Sequence, residues 1–169
     1  MSKQAIRKVV FAINGRGGVG KDTMVDYASK HFNVRNTSSV EAIKKLARVA
    51  GWTDEDKQTA KGRQLLVDLK KLFVEYNDLP QKYSVEQFEE FMQSDEEFMF
   101  VHIREPEEIE KFKKATGAKS LLITRKNVAT TWDIDNENNV NKLQYDYMFN
   151  NDGTIEESGQ RFIEFLKSF

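Results

Sequence analysis

The stretch Gly15-Arg16-Gly17-Gly18-Val19-Gly20-Lys21-Asp22-Thr23 follows the apolar run 9–13 and opens a segment of helical character, 21–31. It has the spacing G-x-x-x-x-G-K, in the strand–loop–helix setting that this motif requires. Its glycines allow successive backbone N–H groups to point at one anion, and the helix N-terminus adds partial positive charge. We therefore expect this loop to hold the β- and γ-phosphates of ATP or a close analogue, with Lys21 bridging the terminal phosphates.

The residue after the lysine is an aspartate, where the motif has Ser or Thr. A carboxylate is a hard oxygen ligand, so Asp22 is expected to bind Mg²⁺ directly or through water. The alternative is an aspartate placed at the helix N-terminus because the dipole favours it. Thr23 is expected to donate its hydroxyl to the α-phosphate. The expected ATP-binding residues of the loop are Gly15, Arg16, Gly17, Gly18, Val19, Gly20, Lys21, Asp22 and Thr23.

Apolar runs and helical periods alternate along the chain. Strands are expected at 9–13, 33–37, 98–103, 121–123 and 147–149. Helices between them predict an α/β fold of three layers, with a five-stranded, mostly parallel sheet covered on both faces. The region between the second and third strands, roughly 40–93, is predicted to be almost entirely helical.

Helix starts are predicted where Ser or Thr precedes Glu or Gln by three residues. This spacing places starts at Ser38, Ser84 and Thr154. A longer helical stretch is expected to begin at Thr53 and to keep its apolar period up to Pro80.

Length and composition fit one globular domain. The chain has 169 residues, 39% of them hydrophobic and 31% charged, and a formal net charge of −1. No overall basic field draws it to nucleic acid, and the first apolar run is too short for a signal peptide or a membrane span. It has no cysteine, which excludes disulfides and thiolate chemistry. We expect a cytoplasmic protein without a nucleic-acid or membrane partner; its oligomeric state, a homodimer included, stays open.

Three motifs together resemble the phage deoxynucleoside monophosphate kinases, in which Gly-Lys-Asp replaces Gly-Lys-Ser/Thr. The first is the loop with Gly20-Lys21-Asp22. The second, His102-Ile103-Arg104-Glu105-Pro106, is similar to the Asp-Val-Arg-Phe segment at the end of the third strand of that family. The third, Asn150-Asn151-Asp152-Gly153-Thr154, is similar to the Asn-Asp-Gly-Thr turn that these enzymes share with the dephospho-CoA kinases.

The resemblance implies an adenylate-kinase-like P-loop NTPase fold, formed by a core at 1–37 and 97–169, a helical acceptor-binding insertion at about 38–96 and a short lid at about 125–143. It implies that ATP donates its γ-phosphate, with Mg²⁺, to a small phosphorylated acceptor, a nucleoside or deoxynucleoside monophosphate. Asn151, Asp152 and Gly153 would then lie near the adenine of ATP. The implied acceptor residues are Ser38, Ser39, Arg63, Arg104 and Glu105, and the implied catalytic cations are Lys21, Arg104 and Arg125.

Two departures from that family bear on catalysis. His102 stands where the family has an aspartate that helps to hold magnesium through water, and a neutral imidazole cannot supply that charge. The lid segment is also poor in arginine. Arg125 begins it, but the only further cations before Gln144 are Lys126 and Lys142. Arg16, within the loop, is a candidate to compensate.

Three other functions are compatible with parts of the sequence. The segment Arg16 to Lys21 also resembles the loop of the ParA/MinD partition ATPases, which would make the chain an ATP-dependent switch. Asn141-Lys142-Leu143-Gln144 begins like the guanine-reading Asn-Lys-x-Asp of GTPases but lacks its aspartate. A nucleotide-binding module that has lost catalysis is the third alternative, and His102 is its main support.

Overall fold

A computed structural model describes residues 5–126 and 143–169 of the chain. Its sheet has five strands in the order β2-β3-β1-β4-β5, and all four strand pairs are parallel. The strands are β1 (Val9–Asn14), β2 (Val34–Ser38), β3 (Phe98–His102), β4 (Lys119–Thr124) and β5 (Tyr147–Asn150). The predicted five-stranded parallel sheet is confirmed.

The helices cover both faces of this sheet. They are α1 (Lys21–Ser29), α2 (Glu41–Val49), a 3-10 turn (Asp54–Gln58), α3 (Ala60–Asn77), α4 (Leu79–Gln93), α5 (Pro106–Thr116) and α6 (Ile155–Lys167). Side chains alternate along β1, so Phe11 and Ile13 pack with α1 and α6, whereas Val10 and Ala12 pack with α4 and α5. The three-layer architecture is therefore confirmed.

Two of the three predicted helix starts are wrong. Helix α2 has Val40 at its N-cap position without a side-chain cap, because Ser38 is the last residue of β2, where its strand pairing fixes it beside His102. Ser84 is buried inside α4, and its hydroxyl donates to the carbonyl of Pro80. The start at Thr154 is confirmed, since the reciprocal bonds between Thr154 and Glu157 are both present.

The long helix expected from Thr53 to Pro80 is interrupted. Thr53 caps the short 3-10 turn instead, and Thr59 caps α3 by accepting a bond from the N–H of Gly62. Pro80 lies in the first turn of α4, where a backbone N–H would have no partner within the helix, so no hydrogen bond is lost. Only Asp78, in a left-handed conformation, separates α3 from α4. The apolar pattern from Thr53 to Pro80 is continuous, but local caps divide the segment into the 3-10 turn, α3 and the start of α4.

The predicted lid lies mostly outside the described residues, since the structure describes Arg125, Lys126 and Leu143 but not 127–142. Within 5–126 and 143–169, no helix is long and apolar enough to cross a membrane.

Candidate nucleotide and acceptor site

The glycine-rich loop connects the end of β1 to the first turn of α1. Gly20 has φ 86°, a left-handed conformation that favours glycine, and its carbonyl accepts the N–H of Met24 at 3.0 Å. Lys21 donates its Nζ to the carbonyl of Gly15 at 2.6 Å, across the loop. The first N–H groups of α1 have no partner within the helix, as at any helix N-terminus, and such groups can bind an anion.

Asn151 fixes the loop from the opposite side. Its side chain is buried, and Nδ2 donates to the carbonyl of Val19 at 2.7 Å, while its backbone N–H donates to Thr124. Asp152 accepts the N–H of Lys126 through its carboxylate. The predicted proximity of Asn151, Asp152 and Gly153 to adenine stays a prediction. The structure adds that Asn151 holds the phosphate loop in place.

A cavity of about 660 Å³ opens at the carboxyl end of the sheet, where parallel α/β folds bind ligands. Its charged lining comprises Lys21, Lys44, Lys70, Lys71 and Arg104 against Asp22, Glu75 and Glu105. The phosphate loop, α2, α3 and the segment after β3 all contribute to this lining. Its volume is in the range of a small-molecule site.

Several predicted residues meet in this cavity and others do not. Lys21, Asp22, Ser38, Ser39, Arg104 and Glu105 all line it. Arg63 is not among the lining residues, and its guanidinium donates to the carbonyl of Lys57 at 3.1 Å. Arg125 is exposed at the end of β4 and also lies outside the lining.

The insertion brings lysines to the cavity that the sequence analysis did not single out. Lys70 pairs with Glu108 of α5 at 3.0 Å. Burial, and then the charge of Lys57, lowers the pKa of Lys44 from its usual value. Val67 and Val74 line the cavity as well, and their spacing with Lys70 and Lys71 on α3 was a signal that could have identified this helix face.

His102, the last residue of β3, lines the cavity. Its Nε2 is 2.8 Å from Oδ1 of Asn36 and 3.8 Å from Oδ1 of Asp22. Burial lowers the pKa of His102 to about 4; Asp22 opposes this shift, whereas Lys21 and Lys44 add to it. The imidazole is therefore neutral near pH 7.

Asn14, the last residue of β1, joins three parts of the site, and sequence reasoning missed it. Its Oδ1 accepts the N–H of Gly15 at 2.9 Å, and its Nδ2 donates to the carbonyl of Arg104 and to the hydroxyl of Tyr145, both at 3.0 Å. The side chain is 1% exposed. Asn14 therefore connects the start of the phosphate loop to the segments that carry Arg104 and Tyr145.

Replacing Asn14 by Ala should lower the free energy of unfolding by about 2 kcal/mol, because buried polar partners would lose their bonds. Urea denaturation measures this change. The matched control is Asn150→Ala, since Asn150 is exposed and its side chain accepts one bond, from the N–H of Asp152. Equal losses in the two variants would contradict the connecting role of Asn14.

Comparisons with known proteins agree on the fold. No family model and no curated protein sequence matches the chain. The structure of TT1252 from Thermus thermophilus superposes with a TM-score of 0.52 at 14% identity, covering 96% of this chain and 98% of that one. A candidate kinase from Chloroflexus aurantiacus superposes with a TM-score of 0.51 at 10% identity, covering 98% and 99%.

A shikimate kinase from Aquifex aeolicus also aligns over 95% of this chain and 97% of its own, at 12% identity and a TM-score of 0.48. That score is too low for a conclusion. The two likenesses above 0.5, together with the parallel sheet and the glycine-rich loop, establish a three-layer α/β fold of the P-loop type.

Proposed function

We propose that this chain is an ATP-dependent phosphotransferase whose acceptor is a nucleoside or deoxynucleoside monophosphate. One observation carries the proposal: a single cavity has the phosphate-loop lysine on one side and further cations, from α2, α3 and the segment after β3, on the others. A phosphoryl transfer between two phosphorylated molecules needs two such groups of cations, one for each.

The donor side is formed by the phosphate loop and the N-terminus of α1. Lys21 would exchange its bond to the Gly15 carbonyl for the terminal phosphates of ATP, and the backbone N–H groups would hold the remaining oxygens. Asp22 is the oxygen donor placed to hold a divalent cation, Mg²⁺ by the resemblance, because its side chain is 86% exposed at the cavity. That cation would neutralise charge between the phosphates.

The acceptor side is formed by Arg104 with Lys44, Lys70 and Lys71. Arg104 can grip two phosphate oxygens with its planar guanidinium, whereas each lysine acts as a point charge. Ser38 is the last residue of β2 and Ser39 follows it, and both line the cavity. Glu105 would supply an acceptor for a sugar hydroxyl or a base N–H. Arg63 and Arg125 lie outside the cavity lining. The roles proposed for them, in acceptor binding for Arg63 and in catalysis for Arg125, would need a different conformation of the protein.

In the proposed reaction, an oxygen of the acceptor phosphate attacks the γ-phosphorus of ATP. The bond between that phosphorus and the β,γ-bridging oxygen breaks, and ADP leaves. The transferred group becomes the β-phosphate of a nucleoside diphosphate. No covalent enzyme intermediate is needed, since positioning and cations lower the barrier.

A second candidate function is nucleotide binding without catalysis, and His102 favours it. The low pKa of His102 leaves a neutral side chain in the place where P-loop NTPases carry an acidic residue. ATP labelled at its γ-phosphate separates the two functions. The proposed kinase transfers label to a nucleoside monophosphate, whereas a binding module retains labelled ATP.

Replacing Arg104 by Lys should weaken acceptor binding by about tenfold, because the charge is kept while the second oxygen contact is lost. The apparent affinity for ATP should change less than twofold. Arg48→Lys is the matched control, since Arg48 is exposed on α2 and lies outside the cavity lining. Steady-state kinetics with each substrate varied in turn measures both constants, and a larger effect on ATP than on the acceptor would contradict the assignment of Arg104.

A further inference from the structure

Helix α3 contributes one face to the cavity, and this face combines three kinds of surface. Its lining residues are spaced by three or four positions, as on one side of a helix: Val67, Lys70, Lys71, Val74 and Glu75. The two valines are 55% and 39% exposed, so they leave apolar surface open to a ligand. A molecule in the cavity would therefore meet cations, apolar groups and a carboxylate on the same helix.

The carboxylate of Glu75 is available to a ligand. In the part of the chain that the structure describes, it forms no hydrogen bond and no ion pair. Lys71 lies one turn before it on α3, which is the less favourable order for such a pair, and Lys70 pairs with Glu108 of α5 instead. An ionised carboxylate has two oxygens that accept hydrogen bonds and none that donates. Glu75 therefore suits a ligand group with N–H or O–H donors.

The position of Glu75 along α3 suits the base of the proposed acceptor. It follows Lys71 and Lys70 by four and five residues, which is about 6 Å and 7.5 Å along the helix axis. The sugar of a nucleotide separates the base from the 5′-phosphate in a similar way. If the lysines hold the phosphate, the base would lie near the end of α3, with its face against Val74 and its edge towards Glu75.

The four bases differ in what they offer a carboxylate. Guanine presents N1–H and N2–H side by side, so the two oxygens of one carboxylate can accept both. Adenine and cytosine offer an amino group beside a ring nitrogen that is itself an acceptor. Uracil and thymine have one N–H between two carbonyl oxygens, and these oxygens repel a carboxylate. We propose that Glu75 reads the base of the acceptor and selects guanine, most strongly against uracil and thymine.

This inference rests on the proposed function, and binding measurements separate the two. The monophosphates of guanine, hypoxanthine and uracil, each as ribonucleotide and deoxyribonucleotide, are titrated into the full chain with a non-hydrolysable ATP analogue present. Calorimetry gives each Kd. Hypoxanthine lacks only the amino group of guanine, so it isolates the second hydrogen bond. Guanine nucleotides should bind about tenfold more tightly than hypoxanthine nucleotides, and uracil nucleotides should bind most weakly.

Glu75→Gln tests the role of the carboxylate, because it keeps the shape of the side chain and replaces one acceptor oxygen by a donating NH₂ group. The preference for guanine over hypoxanthine should fall to about twofold or less, because only one acceptor remains. Uracil nucleotides should bind about threefold or more tightly than before, because the amide can donate to a carbonyl while it accepts N3–H. General damage to the site would not produce this gain.

The matched control is Glu89→Gln, since Glu89 is exposed on α4 and lies outside the cavity lining. It should leave the Kd of every nucleotide unchanged. If the preferences among the bases stay within twofold of their original values in Glu75→Gln while the nucleotides still bind, the base-reading inference alone is overturned. Tighter binding of uracil than of guanine nucleotides by the unmodified protein also overturns it. Failure of the unmodified protein to bind any of these monophosphates overturns the proposed function as well.

Discussion

Phosphoryl transfer should fall by about 30-fold to 1000-fold in Lys21→Ala, while the protein keeps its fold. Loss of one charge-assisted contact to the transferring phosphates removes about 2–4 kcal/mol of transition-state stabilisation. The fold should survive because the Lys21 side chain lines the cavity, and its Nζ donates to the carbonyl of Gly15 rather than packing in the core.

The control for this experiment is Lys114→Ala, since Lys114 is exposed on α5 and lies outside the cavity lining. Its turnover should match that of the unmodified protein. Thermal unfolding of both variants checks that they are folded. Turnover of Lys21→Ala within threefold of the unmodified protein would contradict the phosphate-loop assignment.

The second large effect is expected from Gly20→Ala, which should weaken ATP binding by at least tenfold. Gly20 has φ 86°, a conformation that costs an L-residue about 1 kcal/mol. A Cβ at this position would also lie 2.4 Å from Nδ2 of Asn151, whose side chain is buried and bonded to Val19. The loop must therefore shift away from Asn151, and its N–H groups would no longer converge on the phosphates.

Gly117→Ala is the control for the loss of stability that a left-handed backbone conformation causes by itself. Gly117 ends α5 with φ 75°, and a Cβ added there would meet no atom within 4 Å. It carries the same kind of backbone penalty without the contact to Asn151. We expect a small loss of stability and unchanged ATP affinity in Gly117→Ala, as measured by calorimetry with a non-hydrolysable analogue. Equal affinities in both variants would mean that Asn151 does not control the loop.

The sheet and the phosphate loop could be predicted from the sequence because their signals are local. A continuous apolar run such as 9–13 suits a strand that is covered on both faces, and the loop motif combines glycine conformations with a helix N-terminus. The helix start at Thr154 was predictable for the same reason, because the two residues of its capping box, Thr154 and Glu157, are only three positions apart.

The helix starts at Ser38 and Ser84 were mispredicted because tertiary context decides between equivalent local patterns. Ser38 is held by strand pairing with β3, and Ser84 bonds back to Pro80 from inside a helix. The spacing of Ser with Glu or Gln does not show whether the serine lies at a helix N-cap, at the end of a strand or inside a helix.

The contribution of Asn14 depends on contacts that are distant in sequence. Its partners Arg104 and Tyr145 lie 90 and 131 residues further along the chain. The positions of Lys44, Lys70 and Lys71 in the cavity depend in the same way on how α2 and α3 pack against each other. The spacing of Val67, Lys70, Lys71 and Val74 indicates one face of a helix, but a single sequence does not show that this face lines the cavity.

The measurement that tests the central claim most directly is the rate of ADP release from ATP, with and without a panel of ribo- and deoxyribonucleoside monophosphates. The proposed function predicts ADP release that depends on one or a few of these acceptors, with an equal amount of nucleoside diphosphate formed from the acceptor. Acceptor-independent release would indicate the ATPase switch. Tight ATP binding with no release under any acceptor would contradict the phosphotransferase and support the binding module.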